Sequence, residues 1–508
     1  MAKDIEDGRH SVQEKTIITE VPGDKEHVEL AATTVEIPDY TPAEVRRILW
    51  KLDLRLLPML AFFYLLAFLD RGNIGNAKVA GMQTSLGLTG SQYNVALTVF
   101  FIPYSLLEVP CNVVAKILKP HIWLSIMMFF WGICMTLMGV VHGYGGLIAA
   151  RWFLGVCEAG FFPAAAFLLT LFYCRYEVLR RLAVFYSCAS LSGAFSGLLA
   201  FGLEKMDGVG GLAGWRWIFI IEGFLPIITS VFAFFIVPDS PETCKGLTQE
   251  ERNFVVHRLQ METGSGMGQV TNNDKMTFGM VLAALKEWRT WAAVVMFWGC
   301  ATAVYAFTFT IPVVILELGY TAANAQLMTI PVYVVAMLFV IFWAYVSDHF
   351  KVRSTFIVIG FMFAVCGLIA LLCIPHPKMP GVTYFFLFPT AMGIYCPQQL
   401  IVSWTANNSA PSSKRAIAMA LLLSIGNLSG VLGSNIFIQN EAPRYWAGYG
   451  TCLGLVVAAQ IMALVLRRSY AKINAERDLM SEEEIRAKYT DLELIQMGDR
   501  SPFFRYTL

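Results

Sequence analysis

The chain has 508 residues, of which 56% are hydrophobic and 15% are charged, and its mean hydropathy is +0.57. An ordinary soluble domain carries about 25% charged residues, so this composition excludes a soluble fold and predicts a polytopic membrane protein. The formal net charge is +1 and the sequence shows no basic stripe, which excludes a nucleic-acid-binding function.

Apolar runs long enough to cross about 30 Å of hydrocarbon as helices follow a polar segment of about 50 residues. That first segment lacks the pattern of a secretory signal, so we expect the first span to direct insertion. The apolar runs lie at 54–79, 92–117, 122–142, 146–172, 182–203, 215–237, 291–316, 323–346, 355–374, 382–404, 417–437 and 448–466. The sequence therefore predicts an all-α membrane protein with twelve transmembrane helices in two six-helix halves.

A polar break separates the two halves. We predict an N-terminal tail (1–50), an N-terminal six-helix bundle (51–238), a central loop (239–286), a C-terminal six-helix bundle (287–468) and a C-terminal tail (469–508). In the central loop, Thr248 and Glu251 have the capping-box spacing of a surface helix. Gly264, Gly266 and Gly268 follow no strand, so they favour a flexible linker over a dinucleotide-binding loop.

Basic residues concentrate in alternate loops. They are Lys116, Lys119, Arg175, Arg180, Arg181, Lys351, Arg353, Lys414, Arg415, Arg467 and Arg468, whereas the opposite loops hold little beyond Lys205, Lys378 and Arg444. Cytoplasmic loops carry an excess of Lys and Arg, so we expect both termini and the central loop to be cytoplasmic. We expect a multi-pass protein that acts as a monomer in the lipid bilayer of the plasma membrane.

The first span carries two adjacent charges, Asp70 and Arg71. Asp70 lies about 21 Å along the helix from Leu56, well within the hydrocarbon. A charge near the bilayer centre costs at least about 2.5–3.5 kcal/mol, so both side chains must face protein or a wet cavity. Gly72 and Asn73 follow, and they weaken the helix and leave room for a close approach.

The fourth span carries Arg151 and, seven residues later, Glu158. Seven residues are nearly two helical turns, so both side chains lie on one face. Gly155 clears space between them, and Pro163 is expected to bend the helix beyond.

Two interpretations of these four charges remain open. One is a salt-bridge lattice that fixes helix packing. The other, which we favour, is a coupled site in which Asp70 and Glu158 take protons while Arg71 and Arg151 hold an organic anion. With both carboxylates ionised the four residues are neutral, and with both protonated two positive charges remain, so proton and anion binding favour each other.

The pairing of Asp-Arg in the first span with R-x6-E in the fourth resembles the anion:cation symporter family of the major facilitator superfamily. Further stretches resemble its fungal allantoate and nicotinate permease branch. They are LDRGNIGNAK (69–78), RWFLGVCEAGFFP (151–163), GWRWIFIIEG (214–223), PDSPE (238–242), NNSAPSSKRA (407–416), GNLSGVLGSNIF (426–437), APRYWAGY (442–449) and FFRYTL (503–508). The resemblance covers nearly the whole chain from about residue 50 and implies the major facilitator fold.

Other polar residues in the spans are further candidate site residues. By resemblance and by its position among small residues, Asn427 in the eleventh span is expected to touch substrate, with a helix-packing hydrogen bond as the alternative. Tyr305 and Gln398, or its neighbour Gln399, are candidates to line the cavity from the second half, and Asn73 is a candidate to bind substrate from the first.

Two charged positions belong to a turn that the superfamily uses for gating. The turn after the eighth span keeps Asp348 and Arg353, whereas the corresponding turn after the second span is degraded to AKILKP. Of the other acids, we expect Glu108 to pair with a loop base, and Glu222 to serve packing or gating.

The function we expect is proton-coupled uptake of a small organic anion, such as a nicotinate-, allantoate- or pantothenate-like carboxylate, by alternating access. An exporter of a small metabolite is the alternative, although the fifth span lacks the Gly-Pro signature of drug and proton antiporters. The seven histidines and eleven cysteines show no paired metal-ligand spacing and no nucleophile motif is present, so we expect no metal, no cofactor and no enzymatic activity. A sensor that binds without transporting is a further alternative.

Overall fold

The structure is a computed structural model that describes residues 12–21, 29–38, 40–263, 285–375, 378–410, 412–490, 493–494 and 497–508. The predicted glycine linker at 264–268 lies outside the described residues. Two strands, β1 (Val12–Val21) and β2 (Glu29–Pro38), pair antiparallel ahead of the helices. The surface helix predicted in the central loop is present at Gln249–Thr263, and Thr248 and Glu251 exchange the expected capping hydrogen bonds.

The first half of the described chain, the N-half, consists of eight helices. They are α1 (Pro42–Val79), α2 (Met82–Ser85), α3 (Gly90–Ile117), α4 (Pro120–Met138), α5 (Tyr144–Glu158), α6 (Phe161–Phe172), α7 (Arg175–Glu204) and α8 (Gly214–Ile236), and the surface helix Gln249–Thr263 follows them as α9. Within the N-half, α4 packs on α8, α3 on α5, and α1 on α7.

The second half, the C-half, consists of seven helices. They are α10 (Trp288–Glu317), α11 (Ala322–Phe350), α12 (Ser354–Cys373), α13 (Pro380–Asn407), α14 (Ser412–Asn427), α15 (Ser429–Gly433) and α16 (Trp446–Asp478), and the short α17 (Glu482–Lys488) follows them. Here α12 packs on α13, and α16 packs on both α10 and α12.

Ten helical segments of the described residues are long and apolar enough to cross a bilayer. Two shorter apolar stretches, Leu191–Glu204 in α7 and Ile417–Gly433 across α14 and α15, occupy the fifth and eleventh predicted positions. The prediction of an all-α membrane fold is therefore confirmed, and twelve spans in two halves fit it.

The fourth span is broken where the sequence predicted a bend. Helix α5 ends at Glu158 and α6 begins at Phe161. Pro163 has no N–H to donate to the carbonyl of Ala159 and its ring crowds that carbonyl, which accounts for a break at this point. Glu158 is therefore the last residue of its helix, directly before the break.

The middle of α1 is enclosed on all sides by protein, because this helix contacts α7 and α8 of its own half and α10 of the other. Every residue from Leu69 to Ala77 is buried. Gly75 lets α1 and α10 approach closely, since a Cβ there would lie 3.0 Å from the carbonyl oxygen of Phe309. The polar residues of the first span thus lie where lipid does not reach.

The two halves are joined at one end of the bundle. We call the end at which α1 begins and α16 ends the tail face, and the opposite end the far face. Near the far face, the Gln83 amide donates to Gln439 over 3.1 Å, and Asn435 donates to the hydroxyl of Thr98 over 2.7 Å. Thr98 also contacts the hydroxyl of Ser434 at 2.9 Å. These hydrogen bonds link the two halves at the far face.

The last described segment, 497–508, folds back on the tail face of the C-half, and we call it the C-terminal clasp. Trp404 of α13 and Asn408, directly after this helix, both donate to the carbonyl of Thr507, over 2.8 and 3.0 Å. Asn474 of α16 exchanges two hydrogen bonds with the backbone of Tyr506. The FFRYTL stretch is thus held by side chains of two different spans.

An ion-pair cluster holds the clasp at its other end. Lys414 lies 2.8 Å from Asp499 and 3.5 Å from Glu287, and Arg500 lies 3.4 Å from the same Glu287. Burial opposes the ionisation of Glu287, but Lys414 and then Arg289 and Arg500 outweigh it and hold the pKa of this carboxyl below its ordinary value. This contribution to stability is complete above the ordinary pKa and is lost as the pH falls through the lowered value of the folded state.

Substitution of Tyr506 is expected to loosen the clasp. Its ring stacks on Tyr470 with centroids 4.4 Å apart, and its hydroxyl accepts from Arg289 over 2.6 Å. Tyr506→Ala removes a buried aromatic side chain and should cost about 3–5 kcal/mol of unfolding free energy. Tyr506→Phe keeps the ring and should cost about 1 kcal/mol. Thermal unfolding in detergent measures both, and an equal loss in the two variants would contradict a role for the ring stack.

Candidate functional site

The central ion pair of the molecule joins Arg71 of α1 to Glu158 at the end of α5. Both Nε and Nη2 of Arg71 lie 2.6 Å from the same oxygen, Oε1 of Glu158. The side chains are almost fully buried, with Arg71 6% and Glu158 1% exposed. The second oxygen of Glu158, Oε2, has no hydrogen-bond partner among the described residues.

Aromatic rings surround the Arg71 guanidinium. Its central carbon lies 4.5 Å from the ring centroid of Tyr104, 4.8 Å from that of Phe68 and 5.5 Å from that of Phe100. A ring face attracts a cation, and the attraction strengthens when water is excluded. The rings therefore help to keep Arg71 charged at membrane depth without supplying another negative charge.

Asp70 is held by neutral donors. The indole Nε1 of Trp131 donates to Asp70 Oδ2 over 2.5 Å, and the amide of Asn73, one turn further along α1, lies 3.5 Å from Asp70 Oδ1. Asn73 itself donates to Glu222 of α8 over 2.6 Å. Asp70, which is 1% exposed, is thus not part of the Arg71–Glu158 ion pair.

Arg151 is buried without an ionic partner in the part of the chain that the structure describes. It is 2% exposed, its Nε has no hydrogen-bond partner there, and its guanidinium carbon lies 5.7 Å from the ring centroid of Phe100. A buried cation without a partner is costly. The four predicted charges come together in space, but as one closed ion pair and two separate charges rather than as a continuous lattice.

A line of polar contacts runs from this ion pair into the C-half and back. Arg71 Nη1 makes a long contact of 3.5 Å with the hydroxyl of Tyr305, and this hydroxyl donates to Asn427 Oδ1 over 3.0 Å. Asn427 in turn donates to Glu108 of α3 over 3.2 Å. The expectation that Glu108 pairs with a loop base is wrong, because α3 packs against α14 and α15 and this carboxyl is buried between the halves.

A cavity lies between the two halves beside the ion pair. It is lined from α1, α7, α10, α11 and α13 by Phe68, Arg71, Gly72, Asn76, Ser192, Gly193, Ser196, Val304, Tyr305, Thr308, Phe309, Pro312, Thr329, Tyr333 and Tyr395. Arg71 is the charged residue of this lining, which otherwise consists of aromatic, hydroxyl, amide and small apolar groups. Such a lining suits a small molecule with one negative group and a flat or apolar body.

The other predicted site residues fall into three places. Tyr305 lines the cavity, as expected. Asn73 and Asn427 are buried but lie outside this lining. Asn73 is on the side of α1 that contacts Glu222 of α8, and Asn427 lies between the halves. Gln398 is half-buried on α13 and also lies outside the lining, one turn after the cavity residue Tyr395.

The predicted gating pair lies at the tail face, far from the cavity. Asp348 at the end of α11 and Arg353 before α12 form an ion pair, and Arg353 also donates to Ser347 over 3.2 Å. The backbone N–H of Arg353 donates to the carbonyl of Leu508 over 2.6 Å, so the C-terminal clasp rests on the same turn.

Two halves of apolar helices, a cavity between them and buried charges beside that cavity define a membrane transporter. Residues 60–434 match the family model of the Major Facilitator Superfamily, and the chain belongs to this family. The superfamily expected from the sequence is therefore confirmed.

Curated relatives and solved structures agree with this assignment. The chain is 36% identical over 483 residues to the MFS-type transporter cnsO of Penicillium expansum, with 92% of each chain covered. It is 32% identical over 471 residues to the major facilitator-type transporter hxnP of Emericella nidulans, covering 90% of this chain and 92% of that one. These relatives are transporters, so the prediction that the protein is not an enzyme is confirmed.

The fold also matches the crystal structure of a bacterial homolog of the human lysosomal transporter Spinster in an inward-facing and occupied conformation. The TM-score is 0.61 at 16% identity, covering 85% of this chain and 99% of that chain. At this identity the likeness concerns the fold.

Proposed function

We propose that this transporter carries a small organic anion into the cell together with protons. The observation that supports this most is the position of Arg71, which lines the cavity and at the same time forms an ion pair with Glu158. A substrate carboxylate in the cavity and the Glu158 carboxylate therefore compete for one guanidinium. An anion:cation symporter of the allantoate and nicotinate permease type is the branch that this arrangement fits.

Competition for Arg71 couples the anion to a proton. While Glu158 is ionised, it neutralises Arg71 and the cavity offers no free positive charge. When Glu158 takes a proton, Arg71 keeps its charge and becomes available to a carboxylate from the cavity. Proton and anion thus bind together and leave together, which is symport. In energetic terms, a coupling free energy links the two sites, so that each ligand raises the affinity for the other.

In this proposal, Asp70 is the second residue that binds a proton and Arg151 is the second residue that attracts the anion. Arg151 adds positive potential that no described carboxylate neutralises by direct contact, which favours an anion nearby. Asp70 is held by Trp131 and Asn73, and its protonation removes a negative charge from the same region. Asn73, Asn427, Tyr305 and Gln398 remain proposed substrate contacts that form or change as the halves rock.

The hydrogen bonds at the far face fit one state of alternating access. If the tail face is cytoplasmic, as the basic loops predict, the structure is closed to the outside, and the Asp348–Arg353 turn takes part in closing the inside. We propose that the protein works as a monomer in the plasma membrane. Tags at either terminus that stay protected from external protease in intact cells would support this orientation.

Uptake into proteoliposomes tests the proposal. Purified protein is supplied with radiolabelled nicotinate, allantoate or pantothenate under an inward proton gradient, with the membrane potential clamped. We expect at least one acid to accumulate above its external concentration, and Asp70→Asn to reduce this accumulation. If every acid only equilibrates, or accumulates when the proton gradient is reversed, the uptake mechanism is wrong and the exporter alternative gains support.

A further inference from the structure

Helices α4 and α8 are in backbone contact at one level of the N-half. A Cβ at Gly132 would lie 2.7 Å from the carbonyl oxygen of Gly223, and a Cβ at Gly223 would lie 2.5 Å from the backbone nitrogen of Thr136. Residues beside these glycines therefore have fixed positions. Trp131 and Glu222 are those neighbours, and both point toward the enclosed middle of α1.

The side chain of Asn73 joins two acids. Its Nδ2 lies 2.6 Å from Glu222 Oε2 and 3.5 Å from Asp70 Oδ1, while its Oδ1 accepts from the hydroxyl of Ser196 over 3.0 Å. The hydrogen bond from Ser196 fixes the orientation of the amide, so that the nitrogen must face the two carboxyls. One neutral group therefore serves Asp70 and Glu222 together.

Both acids are too deeply buried to be ionised at the same time. Asp70 is 1% and Glu222 is 2% exposed, and Glu222 Oε1 has no hydrogen-bond partner among the described residues. A buried charge needs a counter-charge or several donors, and two like charges at one site repel each other. Here the donors are an amide and an indole, both neutral. The pair must therefore keep its second proton until the pH is raised well beyond the value at which the first is released.

Few charged or polar side chains in the described part of the chain face Glu222. From α1 it faces Asp70, from α4 the neutral indole of Trp131 lies at the same level, and from α7 the hydroxyl of Ser196 joins through Asn73. Among the described residues, Arg151 of α5 forms no ion pair with Glu222, whose Oε1 has no hydrogen-bond partner there. The titratable group that lies beside Glu222 is thus Asp70, which shares the Asn73 amide with it.

We propose that Glu222 is a further proton-binding group of the coupling site, and that with Asp70 it forms one carboxyl pair bridged by Asn73. The pair keeps a proton when it releases another, so Glu222 determines at which pH Asp70 exchanges its proton. The inference rests on the proposed function, in which Asp70 is a coupling residue. Ser196 lines the cavity and contacts Asn73, which places the pair two hydrogen bonds from the substrate space.

Infrared difference spectroscopy of the purified full-length protein tests the pair directly, because a protonated carboxyl has its own carbonyl stretching band. Wild type is titrated with pH beside Glu222→Gln, Asp70→Asn and the double variant. Coupled sites titrate in two separated steps that belong to the pair, so the pair should contribute two steps in wild type and one in each single variant, beside the separate signals of Glu108 and Glu158. We expect the remaining step in each single variant to differ from both wild-type steps by about one pH unit or more.

Glu108→Gln is the matched control, because Glu108 is a buried glutamate that contacts Asn427 and not Asn73. This variant should remove its own signal and leave the two pair steps in place. The proposal is overturned if the Asp70 step stays at its wild-type pH in Glu222→Gln, or if the Glu222 signal never titrates. If one single variant does not fold, the reciprocal variant gives the same comparison.

Transport measurements keep this inference separate from the proposed function. If Glu222 belongs to the coupling site, the pH dependence of uptake should shift in Glu222→Gln by about the amount seen in the infrared titration. If wild-type uptake does not depend on the proton gradient, the proposed function fails, whereas two coupled infrared steps still support the carboxyl pair. A normal pH dependence of uptake in Glu222→Gln, with wild-type coupling intact, contradicts the role of Glu222.

Discussion

Glu158→Gln is expected to leave a transporter that exchanges its substrate but cannot concentrate it. Glutamine keeps the shape of the side chain and leaves Arg71 permanently free of a counter-charge, as a protonated Glu158 does. The anion can then bind at every pH, and no proton is released at this position. A pH difference of about one unit stores about 1.4 kcal/mol per proton, enough for tenfold accumulation. The variant should lose this tenfold accumulation.

The measurement compares two assays on the same vesicles. Counterflow, in which internal unlabelled substrate drives exchange of external label, should persist in Glu158→Gln. Accumulation driven by a proton gradient should fall to about the external concentration. Glu317→Gln is the matched control, because Glu317 is a half-buried glutamate near the far face that is hydrogen-bonded to Tyr445. Accumulation that survives in Glu158→Gln would show that the coupling proton binds elsewhere.

The approximate positions of the spans follow from hydropathy alone, since a segment of about twenty apolar residues has few alternatives in a lipid bilayer. Helix ends do not follow in the same way. The last span was predicted to end at residue 466, but α16 continues to Asp478 because its polar end packs against the C-terminal clasp. Hydropathy reports where hydrocarbon ends, whereas a helix ends where its tertiary contacts end.

Depth and helical face also follow from the sequence, and they indicate that the charges of the first and fourth spans face one region of the bundle. The choice of partner does not follow, because it depends on how each helix is rotated in the bundle. Opposite charge alone favours Arg151 as a partner for Asp70, yet the indole of Trp131 occupies that place. A tryptophan in an apolar helix gives no signal of such a role, since its ring resembles any other core residue.

Residues between the halves were the hardest to predict. The sequence indicates Asn427 and Tyr305 as site residues, but the contacts from Tyr305 to Asn427 and from Asn427 to Glu108 across the interface depend on which state of the halves the structure holds. For Glu222 the sequence leaves packing or gating open, although the glycine beside it, Gly223, allows the close packing of α4 on α8 that fixes the position of this acid. An acidic residue next to a small residue in a membrane span is therefore the sequence feature that indicates a buried carboxyl site of this kind.

Arg71→Gln is expected to abolish uptake and also to destabilise the protein. Removing the arginine leaves Glu158 buried with no counter-charge in contact, and breaking a buried ion pair on one side costs about 3–5 kcal/mol. The loss of transport alone therefore cannot be assigned to substrate binding. Thermal unfolding in detergent should show a large decrease for this variant and a smaller one for Arg71→Lys, which keeps a charge but loses the two-nitrogen contact with Glu158.

The double variant Arg71→Gln with Glu158→Gln separates the two effects. It removes both charges of the ion pair, so neither partner is left buried without the other and most of the lost stability should return. Transport should not return, because the cavity then lacks the guanidinium that binds the anion. Counterflow of a carboxylate substrate measures this without a proton gradient. If the double variant regains both stability and counterflow, Arg71 serves the packing of α1 against α5, and the anion binds to another group, of which Arg151 is the first to test.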